Sequence, residues 1–76
     1  MKKLSVNSSD CSCLKLIRIA KKCGFIIIFA NKHCKINSKE NDFITTVPRH
    51  NRLKRETVKG IVSRFNLFLD KKIIIK

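Results

Sequence analysis

Residues 46–67 read TVPRHNRLKRETVKGIVSRFNL, and within them a strand gives way to a basic loop and then to an amphipathic helix. Thr46 and Val47 close an extended stretch that begins at Phe43. Pro48 stops it, because proline has no N–H to give a sheet ladder. From Thr57 onward, Val58, Ile61, Val62, Phe65 and Leu69 recur at helical spacing, with Lys59, Ser63 and Arg64 on the opposite side. Gly60 weakens that helix by roughly 1 kcal/mol relative to alanine, and Asn66 marks the start of its end. Between strand and helix, Arg49, His50, Arg52, Lys54 and Arg55 stand beside a single acid, Glu56.

Working back from this stretch, Phe43–Val47 reads as the last of three strands. Ser38–Asp42 is a polar turn, His33–Asn37 a shorter strand, and Phe25–Ala30, rich in isoleucine and phenylalanine, the first. Before them, Cys13, Leu16, Ile17 and Ala20 fall on one helical stripe opposite Lys15, Arg18, Lys21 and Lys22. Gly24 follows as a helix-ending glycine, and the lysines before it suit the negative end of the helix dipole. The order helix, strand, strand, strand, helix predicts an α+β fold. Its expected layout is a double-stranded-RNA-binding-like α-β-β-β-α: a three-stranded antiparallel sheet with two helices on one face. Residues 1–10 are expected to be a flexible N-terminus, with Ser9, Asp10 or Ser12 available as a helix cap. Residues 11–70 form the single domain. Residues 71–76 are a C-terminal extension whose isoleucines make either a short extra strand or a frayed end. No internal repeat or low-complexity segment is present.

Eighteen basic residues face five acids, for a net charge of +13 in 76 residues. Such an excess points to an anionic partner: nucleic acid, a membrane surface or an acidic protein. The longest apolar run, from Phe25 to Ala30, is far too short to span a bilayer. The start at Lys2 and Lys3 is not followed by the unbroken apolar run of a secretion signal. A cytoplasmic protein without a membrane association is expected. Four cysteines, Cys11, Cys13, Cys23 and Cys34, lack any Cys-x-x-Cys pair, and Cys11-x-Cys13 spaces its thiols poorly for one metal. They read as reduced and structural, with a zinc site completed by His33 or His50 as the minority reading. The phenylalanines Phe25, Phe29, Phe43 and Phe65 read as core, and the chain has no Tyr or Trp to stack bases, which weighs against a single-strand platform.

Several pieces in this order resemble the HicA-type toxins, the YcfA-like mRNA interferases. That family runs from a helix ending in Gly-Phe or Gly-Trp, through a strand, to Gly-Ser-His. A hairpin ending in Val-Pro and a polar loop follow, then Leu-Lys-x-Gly-Thr-Leu-x-x-Ile-Leu. The matching residues are Lys22-Cys23-Gly24-Phe25, then His33, then Val47-Pro48-Arg49-His50. Leu53-Lys54-Arg55 and Thr57-Val58, leading to Ile61-Val62, complete the set. The resemblance spans roughly Leu14 to Leu67. Asn31-Lys32 stands where the family has Gly-Ser, and Glu56 where it has glycine before the threonine. The resemblance implies a toxin that cuts mRNA and is held silent by an antitoxin of the HicB type. It puts the catalytic role on His33, and it implies no contact with DNA except through the antitoxin complex.

The residues favour the same chemistry on their own account. Magnesium nucleases gather carboxylates, whereas the five acids here are scattered. RNA carries its own nucleophile, the 2′-hydroxyl. An imidazole, which ordinarily titrates near pH 6.5, can take its proton at neutral pH with a gain of roughly 10² to 10⁴ in rate. No cofactor and no metal is required. A turn at Ser38–Asp42 sets Asn37 beside Phe43 and His33 beside Val47, with His50 just past the strand end. His33 alone, or His33 and His50 as base and acid, are the two catalytic readings. Lys32, Arg49, Arg52, Lys54, Arg55, Lys59 and Arg64 are the expected RNA-binding cations. A non-catalytic RNA-binding module of the same fold is the competing function, and a basic protein at membrane surfaces is a third. Ile26, Ile27 and Ile28 make the first strand apolar on both faces. That surplus is explained either by an antitoxin surface or by pairing with the C-terminal isoleucines.

Overall fold

The computed structural model describes residues 4–76, in which seven elements follow one another: β1 (Ser5–Val6), α1 (Cys13–Lys22), β2 (Ile26–Phe29), β3 (His33–Asn37), β4 (Phe43–Pro48), α2 (Arg55–Asn66) and β5 (Ile74–Ile75). The three central strands form an antiparallel sheet in the order β2-β3-β4, with both helices against one face. This is the α-β-β-β-α layout expected from the helical stripes and the Gly24 stop.

Each helix is held as its residues dictate. The Ser12 hydroxyl accepts from the Lys15 amide at 3.3 Å and caps α1, satisfying one of the donors a helix start leaves open. Gly24 has φ +82, the left-handed conformation in which glycine alone carries no Cβ penalty. The chain then turns so that Phe25, whose amide donates to the Ala20 carbonyl, packs its ring 5.5 Å from that of Phe65. Leu16 and Ala20 of α1 meet Cys34, Ile36, Ile44 and Val47 of the sheet and Val58, Val62 and Phe65 of α2, all fully buried. Large apolar side chains buried in this way contribute about 1.5 to 3 kcal/mol each. Lys54 caps α2 without a side-chain bond, so the helix starts at Arg55, two residues before Thr57.

The hairpin departs from simple alternation at one point. Asn37 pairs with Phe43 as expected, but Ile36 pairs with Thr45, so Ile44 is an extra residue on β4. Ile44 and Val47 are both fully buried. Three residues apart, they would face opposite sides of a regular strand, and the bulge returns both to the core. It also slips the register beyond it, so that His33 lies opposite Pro48 and Cys34 opposite Val47, one residue from the expected pairing.

The chain ends differ most from expectation. Within the stretch expected to be flexible, Ser5–Val6 pairs in parallel with Ile74–Ile75, in register Ser5↔Ile74 and Val6↔Ile75; residues 1–3 lie outside the described part. The C-terminal isoleucines thus form the short-strand alternative, against β1 and not against β2. Val6 and Ile73 are buried with the main core. Ser8 is also buried, and its hydroxyl donates to the Lys76 carbonyl at 2.7 Å. The Asn66 side chain accepts from the Ile73 amide at 2.7 Å and donates to the Ile73 carbonyl at 3.2 Å, standing in for a strand partner.

Candidate nucleic-acid interface

His33 opens β3 with an exposed side chain, between the exposed Lys32 and the buried Cys34. Alternation places it on the face of the sheet away from the helices, together with Lys35. Across the ladder, Pro48 ends β4 and hands the chain to the basic loop. That loop is held by its backbone. The Arg49 amide donates to the Lys32 carbonyl at 3.0 Å, and its guanidinium donates to the Ala30 carbonyl at 2.9 Å. The His50 amide turns back onto the Pro48 carbonyl at 2.9 Å, while its own carbonyl accepts from Cys13 at 3.1 Å. Leu53, buried, donates to the Cys11 carbonyl at 2.9 Å. Lys32, His33, Arg49 and His50 are therefore gathered at one end of the sheet on a backbone tied to the start of α1.

The two histidines are placed differently. His50 stands between two clefts. One, about 330 Å³, is bounded by the start of α1, Phe29 and Arg49. The other, about 430 Å³, is bounded by Pro48, Arg52, Leu53, Lys54 and Thr57 at the start of α2. His33 borders neither and looks out from the sheet.

The expected cations fall into two groups. Lys32, Arg52, Lys54 and Lys59 are exposed, and their side chains make no hydrogen bond or ion pair among the described residues. Arg49, Arg55 and Arg64 each carry a structural bond. Arg55 Nε donates to the Ser8 hydroxyl at 3.3 Å and so reaches toward the N-terminal segment. Arg64 Nε donates to the Ile44 carbonyl at 3.1 Å and serves the bulge. None of the five acids lies in a strand; Glu40 and Asp42 sit in the turn at the far end of the hairpin from His33.

The four cysteines are free, and Cys11, Cys13 and Cys34 are buried. Burial and the neighbouring Cys34 thiol push the Cys13 thiol up to about 11, and burial raises Cys11 and Cys23. Burial thus disfavours the thiolate at Cys11, Cys13 and Cys23. Among the described residues no three His, Cys, Asp or Glu side chains converge as a metal site would require. No helix among them is long and apolar enough to cross a membrane.

Sequence reasoning missed part of this surface. Phe25 and Phe65 are core, but Phe29 is 57% exposed and Phe43 51%. Lys35, which carried no expected role, holds its ammonium 5.7 Å from the centre of the Phe43 ring, and Lys21 lies 6.0 Å from that of Phe29. Phe43 and Ile44 are adjacent and both apolar, so the sequence carries no signal for which of them faces out; the bulge turns Ile44 inward.

Comparison of the chain with protein-family models, with curated proteins and with solved structures finds no match.

Proposed function

We propose that this protein is a metal-independent RNA endonuclease of the toxin type, with His33 as the base. The observation that carries the proposal is the exposed His33 imidazole at the end of the sheet, with Lys35 on the same face, Lys32 next to it in the chain and no acid in any strand. In the reaction, His33 takes the proton of a ribose 2′-hydroxyl, and that oxygen attacks the adjacent phosphorus. The P–O5′ bond breaks as the new P–O2′ bond forms, leaving a 2′,3′-cyclic phosphate and a 5′-hydroxyl. Lys32, next to His33 in the chain, and Lys35, on its face of the sheet, offset the charge that builds on the phosphorane oxygens. The leaving oxygen takes its proton from water or from His50, whose loop lies directly past the strand opposite His33. Arg52, Lys54 and Lys59 extend the positive track along the start of α2 and read backbone charge, not base sequence. An mRNA substrate, an antitoxin protein of the HicB type that masks the site and a cytoplasmic setting belong to the same reading.

The test is incubation of pure protein with RNA in EDTA. Wild type should produce cyclic-phosphate ends, and His33→Ala should lose cleavage while keeping RNA affinity. A His33→Ala protein that cuts as fast as wild type removes His33 from the mechanism. Binding without cleavage by either protein leaves the non-catalytic RNA-binding module as the function.

A further inference from the structure

The sheet face turned away from the helices carries Ile26, Ile28, His33, Lys35, Phe43 and Thr46, of which Ile26 is 40%, Ile28 45% and Phe43 51% exposed. Its composition is unusual for a solvent face. Apart from Thr46 and Asn37, its residues are apolar or basic, with no carboxylate among them, and the one aromatic ring is overlaid by an ammonium group. A face that merely awaited an apolar partner would not need Lys35 at its centre. A face that met an acidic protein would have little use for an exposed ring. A flat aromatic, aliphatic neighbours and a lysine on one open sheet suit an unpaired nucleic-acid strand, whose bases stack and whose phosphates pair with the ammonium.

We infer that this open face is a single-strand RNA platform, on which Phe43 stacks an unpaired base and Lys35 neutralises the neighbouring phosphate. The inference rests on the RNA reading above and names its substrate class: unpaired RNA laid across the sheet, not a duplex on the helices. The geometry links platform to chemistry. Phe43 pairs with Asn37, four residues along β3 from His33, or about 13 Å at roughly 3.3 Å per strand residue. A strand stacked on Phe43 and running along β3 therefore brings a ribose a short way downstream to His33. A-form duplex RNA holds its bases inside and offers nothing for Phe43 to stack.

The chain contains no Trp and no Tyr, so a single introduced indole reports its own surroundings. In a His33→Ala background, which stops turnover, Phe43→Trp fluorescence should be quenched by a short oligouridine and unchanged by an RNA duplex of equal charge. Phe68→Trp, placed on an exposed phenylalanine in the cleft with Ser38 and Asp70, should respond to neither. Phe43→Ala should weaken oligouridine binding roughly five- to 150-fold, the range for loss of one stacked base, and leave duplex binding as it was. Equal oligouridine affinity in a folded Phe43→Ala protein overturns the inference. So does a Phe43→Ala protein whose RNA affinity is intact but whose self-association in sedimentation is lost, which would make the face a protein contact. Cleavage that is indifferent to Phe43 refutes the platform and leaves the nuclease standing; Phe43-dependent binding without cleavage does the reverse.

Discussion

Arg64 Nε donates to the carbonyl of Ile44 at 3.1 Å, so a cation on α2 satisfies the one residue of β4 that has no partner across the hairpin. The bulge keeps Ile44 and Val47 in one core, and Arg64 keeps the bulge. Arg64→Gln should therefore act mainly on stability, with a loss of about 1 to 2 kcal/mol in urea unfolding. Lys54→Gln, on an exposed cap residue without a side-chain bond, should leave the urea midpoint unchanged. In RNA titrations across salt concentrations, Lys54→Gln should instead lower the salt slope by about 1. If both variants change the slope and neither changes the midpoint, Arg64 belongs to the RNA track.

The two glycines should respond to alanine with opposite signs. Gly24 sits at φ +82, and a Cβ there would meet Lys39 Cε at 2.5 Å. The lysine end can move but the backbone cannot, so Gly24→Ala should cost about 1 to 2 kcal/mol. Gly60 is an exposed α2 residue whose added Cβ would meet nothing within 4 Å, so Gly60→Ala should stabilise by up to about 1 kcal/mol. Thermal melts of the two variants, moving in opposite directions, check the pair; a destabilised Gly60→Ala would show that α2 is not helical there.

These contrasts mark where the sequence was informative. The stripes Leu16, Ile17, Ala20 and Val58, Ile61, Val62, Phe65 bury as helices because side-chain direction repeats with local geometry alone. Gly24 and Pro48 act through their own backbone chemistry, so they too could be read in place. Phe43 was misread as core because hydrophobicity does not say which sheet face is covered, and only the burial of its neighbour Ile44 settles the phase. The one-residue slip at His33 is a property of two strands together. The cations divided in a way no composition reveals: Arg55 and Arg64 look like Lys59 in sequence, but each has found a structural oxygen. The paired chain ends escaped because two-residue strands carry no period.

Stability should fall on the alkaline side for a definite reason. Cys13 is pushed up to about 11 by burial and the nearby Cys34 thiol, whereas a thiol in the unfolded chain titrates near about 8.5. Between those values the folded state holds a proton that the unfolded state has released, so stability declines as pH rises. The contribution is fully present below about pH 8.5 and lost as pH rises through about 11. Cys13→Ser should flatten that alkaline decline in urea-midpoint measurements from pH 8 to 10. An unchanged slope would assign the decline to other groups.

The parallel pairing of β1 with β5 should make the two ends of the chain one unit with the core. Ser8 donates to the Lys76 carbonyl and accepts from Arg55, and Asn66 holds Ile73 at both its N–H and its C=O. Asn66→Ala removes two bonds from a half-buried strand end and should cost about 2 to 3 kcal/mol. Removing residues 72–76 should cost more, because Ile73 leaves the core and Val6 loses its neighbour. The truncated protein should also show a lower urea m-value, since less surface is then exposed on unfolding. A short exposed tail would behave otherwise: its loss would change neither midpoint nor slope, as expected for chain ends that nothing ties down. A truncated protein matching the full chain in both would detach the ribbon from the folding unit. A drop in both, with α1 and α2 retained in the far-ultraviolet circular dichroism, would place the ribbon inside it.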